Sequence, residues 1–128
     1  MYNSFRDMKV WQKAMDLAVE VFELTVNLPK CEDYGLTSQI RRSSGSVHAN
    51  IAEGFERATA PDKSYFYTVS KGSSSETQSH LEYGKRVKYF NPEIADRLID
   101  EYQGVIHELN KIIKTLYITN SKAKKIKA

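Results

Sequence analysis

The sequence predicts an all-α domain, an antiparallel up-down-up-down four-helix bundle, and three observations predict it. Apolar residues recur at helical spacing through four segments of a 128-residue chain. The three prolines, Pro29, Pro61 and Pro92, each fall where one pattern stops or the next starts, as expected of a residue tolerated in a helix's first turn but not in its interior. The connections are short, which favours antiparallel neighbours.

The first helix is expected from about Asp7, a candidate N-cap, to about Leu28. Val10, Ala14, Leu17, Ala18, Val21, Leu24 and Leu28 form a core stripe. Trp11, Met15, Val19, Phe22 and Val26 form a second stripe beside it. The two together cover more than half the helix circumference, more than one core needs. Burying a Trp or Phe is worth about 2 kcal/mol or more, so an exposed patch of them favours association. The second stripe therefore points to a homo-oligomer joined through Trp11, Met15 and Phe22. The competing reading is a helix lodged deeply in a single bundle.

The second helix is expected from Gly35 to Gly54, with Gly54 as its terminator. Leu36, Ile40, Ser43, Ser44, Val47, Ile51 and Gly54 share the core arc, while Ser38, Gly45, Ala49 and Ala52 occupy the opposite one, flanked by Arg41, Arg42 and His48. Gly45 costs a helix interior about 1 kcal/mol relative to Ala, which a close approach by another backbone or a ligand would offset. Gly45, Ala49 and Ala52 are thus either a partner-facing surface or part of a helix with neighbours on both sides.

A loop is expected over Glu56 to Lys63, with an N-cap at Asp62 or Ser64, and a third helix from Ser64 to Tyr89. Its inward arc reads Phe66, Val69, Ser70, Ser73, Thr77, His80, Leu81, Gly84 and Val87. The KGSSSET stretch is poor in strong helix formers, so a distorted turn is expected near Gly72. The fourth helix, from Pro92 to about Leu116, carries the cleanest stripe: Leu98, Tyr102, Val105, Leu109, Ile112 and Leu116, widened by Ile94, Ile106 and Ile113. The bundle then spans residues 1–119, and residues 120–128 form a flexible basic tail.

Composition bounds the function. Hydrophobic residues make up 41% and charged residues 27%, ordinary for one globular domain. The uncharged apolar runs fall far short of the roughly 20 residues of a membrane span, and the N-terminus lacks a signal-peptide layout, so a cytoplasmic protein is expected. Cys31 is the sole cysteine, which excludes an intramolecular disulfide and a cysteine-based zinc site. The net charge of +3 is uneven: Lys122, Lys124, Lys125 and Lys127 fall in a terminal stretch without an acid, leaving the rest at −1.

Catalytic signatures are missing. His48, His80 and His107 lie on different predicted helices, none in an HExxH, and Glu76 with His80 is a single pair where di-iron bundles use two ExxH motifs. No phosphate-binding loop or nucleophile elbow occurs. No metal, cofactor or small-molecule substrate is expected. Glu53 and Glu76 lie beside the solvent face and are expected in structural salt bridges. Arg41, Arg42, Arg57, Lys63 and Lys71 are expected around one end of the second and third helices, where they would contact phosphate with Tyr65 and Tyr67 as stacking surfaces. The terminal lysines add a second contact.

The segments FRDMKVWQKAMDLAVEVFELT, YGLTSQIRRS and NIAEGF, in that order and spacing, resemble the proteins encoded by intervening sequences of bacterial 23S rRNA genes, also labelled S23 ribosomal proteins. The likeness extends to about Leu116. It implies a four-helix bundle assembled as a homopentameric ring. It also implies kinship with the accessory variability protein of diversity-generating retroelements, which binds a reverse transcriptase and nucleic acid through a basic surface. Two departures touch the interior: KGSSSETQSH stands where relatives are more apolar, and SSGSVHAN where they often carry Ala and Pro. Two functions follow as expectations: a non-enzymatic oligomeric scaffold contacting RNA or a reverse-transcriptase-like nucleoprotein, or a protein-interaction module that binds no nucleic acid.

Overall fold

The structure, a computed structural model, describes residues 1–127, with Lys127 described by its backbone alone. A capping box starts the helical part. Ser4 Oγ accepts from the Arg6 amide at 3.2 Å, and Asp7 Oδ2 accepts from the Asn3 and Ser4 amides at 2.9 and 3.2 Å, closing a 3₁₀ turn over Phe5–Asp7. Asp7 therefore serves this turn and not the first long helix. That helix, α1, is Lys9–Thr25, shorter at both ends than the sequence suggests.

A second 3₁₀ turn, Lys30–Glu32, follows Pro29 and leads into α2, Leu36–Glu56. Glu32 Oε1 accepts from the Leu36 amide at 3.1 Å, placing a carboxylate at the positive end of the helix dipole. Gly54 does not end α2. It is buried, and a Cβ there would lie 2.7 Å from the Tyr67 ring, so its bare backbone makes room for that ring. Burial pushes the Tyr67 phenol up to about 12.

The third helix, α3, is Ala60–Arg86. Thr59, not Asp62 or Ser64, is its N-cap: Thr59 Oγ1 accepts from the Asp62 amide at 3.3 Å. Pro61 sits in the first turn, where its missing donor costs nothing, so the expected loop shrinks to residues 57–59. The helix passes Gly72 without the expected distortion. Its C-terminal turn is closed by the Tyr89 and Phe90 amides, both donating to Gly84 O at 2.9 and 3.1 Å, with Lys88 in the left-handed region at φ 69°. That conformation costs a non-glycine residue roughly 1 kcal/mol or more. Lys88→Gly is expected to raise the urea midpoint by a corresponding amount, and a lowered midpoint would contradict this reading.

Asn91 caps the fourth helix, α4, Pro92–Lys127, its Oδ1 accepting from the Glu93 and Ile94 amides at 2.9 and 3.1 Å. The helix does not stop near Leu116. The segment expected as a flexible tail from residue 120 continues it.

Each helix packs on its neighbour in sequence, and α1 closes the ring against α4, the up-down-up-down order. Leu17, Val21, Ile40, Val47, Ile51, Leu81, Leu98, Tyr102 and Leu109 are fully buried at the centre. Hydroxyls join α2 to α3: Ser43 to Thr77 at 2.8 Å, Ser46 to Ser73 at 2.8 Å, and Ser70 Oγ donating to Val47 O at 2.7 Å. Small side chains permit the close approach, and each of these hydroxyls has a partner, whereas the buried Thr37 and Tyr102 hydroxyls have none among the described residues. The inward arc of α3 is accordingly Tyr67, Ser70, Ser74, Thr77, Leu81 and Gly84. Phe66, Val69, Ser73 and His80 turn out half-buried, and Val87 is exposed.

Across the α1–α4 seam, Lys13 and Arg97 both pair with Glu101, and Arg97 also reaches Glu20 at 2.9 Å. The Lys13 hydrogen bond, with help from Arg97, holds the Glu101 carboxyl below its usual range.

Candidate nucleic-acid interface

The five cations expected to cluster do not. Arg41 faces α1, its Nε donating to Thr25 Oγ1 at 2.9 Å and its guanidinium lying 4.3 Å from the Phe22 ring centroid. Arg42 faces α3, bonded to Gln39 at 2.7 Å and 3.5 Å from Glu76. Lys71 faces α4 and donates to Asn110 Oδ1 at 2.7 Å. Only Arg57 and Lys63 share the α2–α3 connection, about 24 Å along the axis from Arg41 at 1.5 Å per residue. Lys63 is spent on structure: it donates to the carbonyls of Gly54 and Phe55 at 3.3 and 2.6 Å, satisfying the open end of α2. Nor are the two tyrosines a matched stacking pair, since Tyr65 is exposed and Tyr67 is core.

The carboxylates pair within the chain. Glu53 lies 2.6 Å from Arg57, whose guanidinium also covers the Phe66 ring at 4.5 Å. Glu76 meets Arg42 and, at 3.3 Å, His80. All these glutamates are largely exposed, so each pair contributes about 0.2–1 kcal/mol. Among the described residues, no group of three His, Cys, Asp or Glu side chains gathers as a metal site.

The second stripe of α1 divides. Trp11 is half-buried against the core with Phe5 edge-on at 5.0 Å, and Met15 is also half-buried. Val19, Phe22 and Val26 remain 49%, 52% and 56% exposed. On the neighbouring helix Ala49 is exposed, Ala52 and Gly45 are partly so, and a Cβ on Gly45 would meet nothing within 4 Å. The glycine makes no close approach inside this chain. Between them, burial holds the His48 imidazole below its ordinary value.

A basic region does exist, in a different place. The topology brings the start of α1, the α2–α3 connection and the end of α4 to one end of the bundle, where Tyr2, Met8, Phe55, Ile112 and Leu116 line one groove and Pro61, Tyr117 and Asn120 another. Residues 1–13, 50–66 and 105–126 hold ten Lys and Arg against five Asp and Glu, whereas the other residues up to 126 hold eight against eleven. After Glu108 no carboxylate side chain follows. Lys111, Lys114, Lys122, Lys124 and Lys125 project from α4 into solvent, and the side chain of Lys127 lies outside those described. No helix among the described residues is long and apolar enough to cross a membrane.

Residues 6–111 match the family model of the 23S rRNA-intervening sequence protein. The chain belongs to this family. A similar solved structure is that of a protein of unknown function from the S23 ribosomal protein family of Bacteroides thetaiotaomicron, with 25% identity and a TM-score of 0.74, covering 82% of this chain and 98% of that one. No curated protein matches the chain in sequence. Lys114, Lys122, Lys124 and Lys125 lie beyond the matched residues. Sequence reasoning overlooked Lys9, Lys111 and Lys114 as members of the basic end. The run without acids after Glu108 was the signal that pointed to the last two.

Proposed function

We propose that this protein is a non-enzymatic, homo-oligomeric helical scaffold of the cytoplasm that contacts RNA through the basic end of its bundle. The gathering of ten cations against five carboxylates at that end, in a chain of net charge only +3, carries the reading. Lysines on a rigid helix neutralise phosphates and release counterions without needing base identity. Self-association through Val19 and Phe22 of α1 and Val26 just after it would repeat the basic end in each copy and raise effective affinity. A ring of five and a reverse-transcriptase-like nucleoprotein partner are the forms that the family likeness suggests.

The open outer face at Gly45 and Ala49 favours a second reading, a protein-interaction module that binds no nucleic acid. Fluorescence anisotropy with labelled RNA separates the two. Lys122, Lys124 and Lys125 changed together to Gln are expected to weaken binding about tenfold or more at low salt. Arg41→Gln with Arg42→Gln is expected to leave it nearly unchanged. Equal losses in the two variants, or no binding by the unaltered chain, would reject the basic-end reading.

A further inference from the structure

Between the start of α1 and the second half of α4 runs an open groove in two parts, of about 570 and 380 Å³. Both parts are lined by Lys9, Val10 and Glu108, so they adjoin at the basic end. Its apolar lining comes from Val10 and Val105 in the first part and from Tyr2, Phe55, Ile112 and Leu116 in the second. Gly104 opens the first part, since a Cβ on it would meet nothing within 4 Å. The carboxylates on the rim are already matched: Glu101 by Lys13 and Arg97, and Glu108 by Lys111 at 3.4 Å. Lys9 is exposed and has no carboxylate within ion-pair distance among the described residues.

The geometry points to this groove as a seat for unpaired nucleobases, making the ligand single-stranded RNA and not a duplex. This inference rests on the proposed RNA contact and deepens it. Polyanion complementarity selects the occupant: the surrounding end is rich in ammonium groups, while the groove is lined by apolar side chains and by the rings of Tyr2 and Phe55. A nucleic-acid strand presents phosphates and flat apolar faces together. In a duplex those faces are stacked inside and inaccessible to a groove, whereas an unpaired base turns one outward to lie on aromatic and aliphatic side chains. Lys9, on both parts of the groove, is placed for a phosphate between neighbouring bases.

The test uses the full chain, with labelled oligouridine alone and the same strand paired in a duplex, titrated by anisotropy at one salt concentration. The single strand is expected to bind about tenfold more tightly, one stacked base being worth about that factor. Gly104→Gln narrows the groove without adding a stacking ring and replaces a poor helix former, so a thermal melt should show the fold kept. This variant is expected to abolish the single-strand preference while duplex affinity stays as it was. Equal binding of both RNAs with no response to Gly104→Gln overturns the groove inference and leaves the basic-end contact standing. Absence of binding to either RNA overturns both. Displacement of the strand by oligoglutamate as readily as by unlabelled oligouridine would assign the groove to acidic peptides and overturn it as well.

Discussion

Phe22→Glu is expected to leave the protein as single copies of 14.7 kDa where the proposed self-association would hold several together, read as mass by light scattering, while the far-ultraviolet dichroism stays helical. Phe22 is half-exposed on α1, and Val19 and Val26, one turn to either side, are equally uncovered. In an isolated molecule this patch would remain wet, at a cost that packing against another copy removes. The substitution leaves the core untouched and sets a carboxylate within reach of Arg41, whose guanidinium now rests on the ring, so the bundle should tolerate it. At the centre of a contact that carboxylate, with Arg41 beside it, would also lose its water, and this desolvation opposes association. An unchanged mass would remove the α1 face from the interface. A single copy before any substitution would remove self-association itself.

Gly84→Val is expected to lower stability by on the order of 3 kcal/mol, the upper range for forcing extra atoms into a packed core. A Cβ at this position would lie 2.2 and 2.3 Å from two carbons of the Phe90 ring, and that ring is itself buried. The ring has little room to retreat, because the Phe90 amide donates to Gly84 O and so ties the two residues together. Gly72→Ala is the matched control on the same helix. A Cβ there meets nothing within 4 Å, so the exchange should stabilise the protein by about 1 kcal/mol through helix propensity alone. Urea unfolding reads both. Opposite shifts are expected, and a stable Gly84→Val variant would contradict the packing described for the α3–α4 corner.

The contrast between these two glycines shows what the sequence could and could not reveal. Helix count and order were legible because Leu98, Tyr102, Val105 and Leu109 repeat without ambiguity and all prove buried, and because Pro61 and Pro92 do occupy first turns. The inward arc of α3 was not legible in full. Phe66 and Tyr67 are adjacent aromatics, and the choice between them depends on Gly54, a gap on another helix that no periodicity of α3 displays. The hydroxyls around Gly72 lowered the apolar contrast further, yet they join the helix to α2 through partners that only the pairing of Ser43 with Thr77 and Ser46 with Ser73 makes visible.

The candidate interface was less legible than the fold, for a geometric reason. Arg41, Arg42, Arg57, Lys63 and Lys71 are close in sequence, but a helix carries neighbours apart and turns them to different sides, toward Phe22, Glu76 and Asn110 in turn. The cations that do share a surface, such as Lys9 and Lys111, are distant in sequence and meet only through the antiparallel order of α1 and α4. Charge clustering is a property of the topology here. Lys122, Lys124 and Lys125 were read as part of a tail, whereas the structure continues α4 through them.

The most direct measurement is the salt dependence of RNA affinity for the unaltered chain. With Lys111, Lys114, Lys122, Lys124 and Lys125 on phosphates, the logarithm of the association constant should fall against the logarithm of salt with a slope of about −3 or steeper. A slope near zero, or no measurable binding even at low salt, would contradict an RNA contact at the basic end.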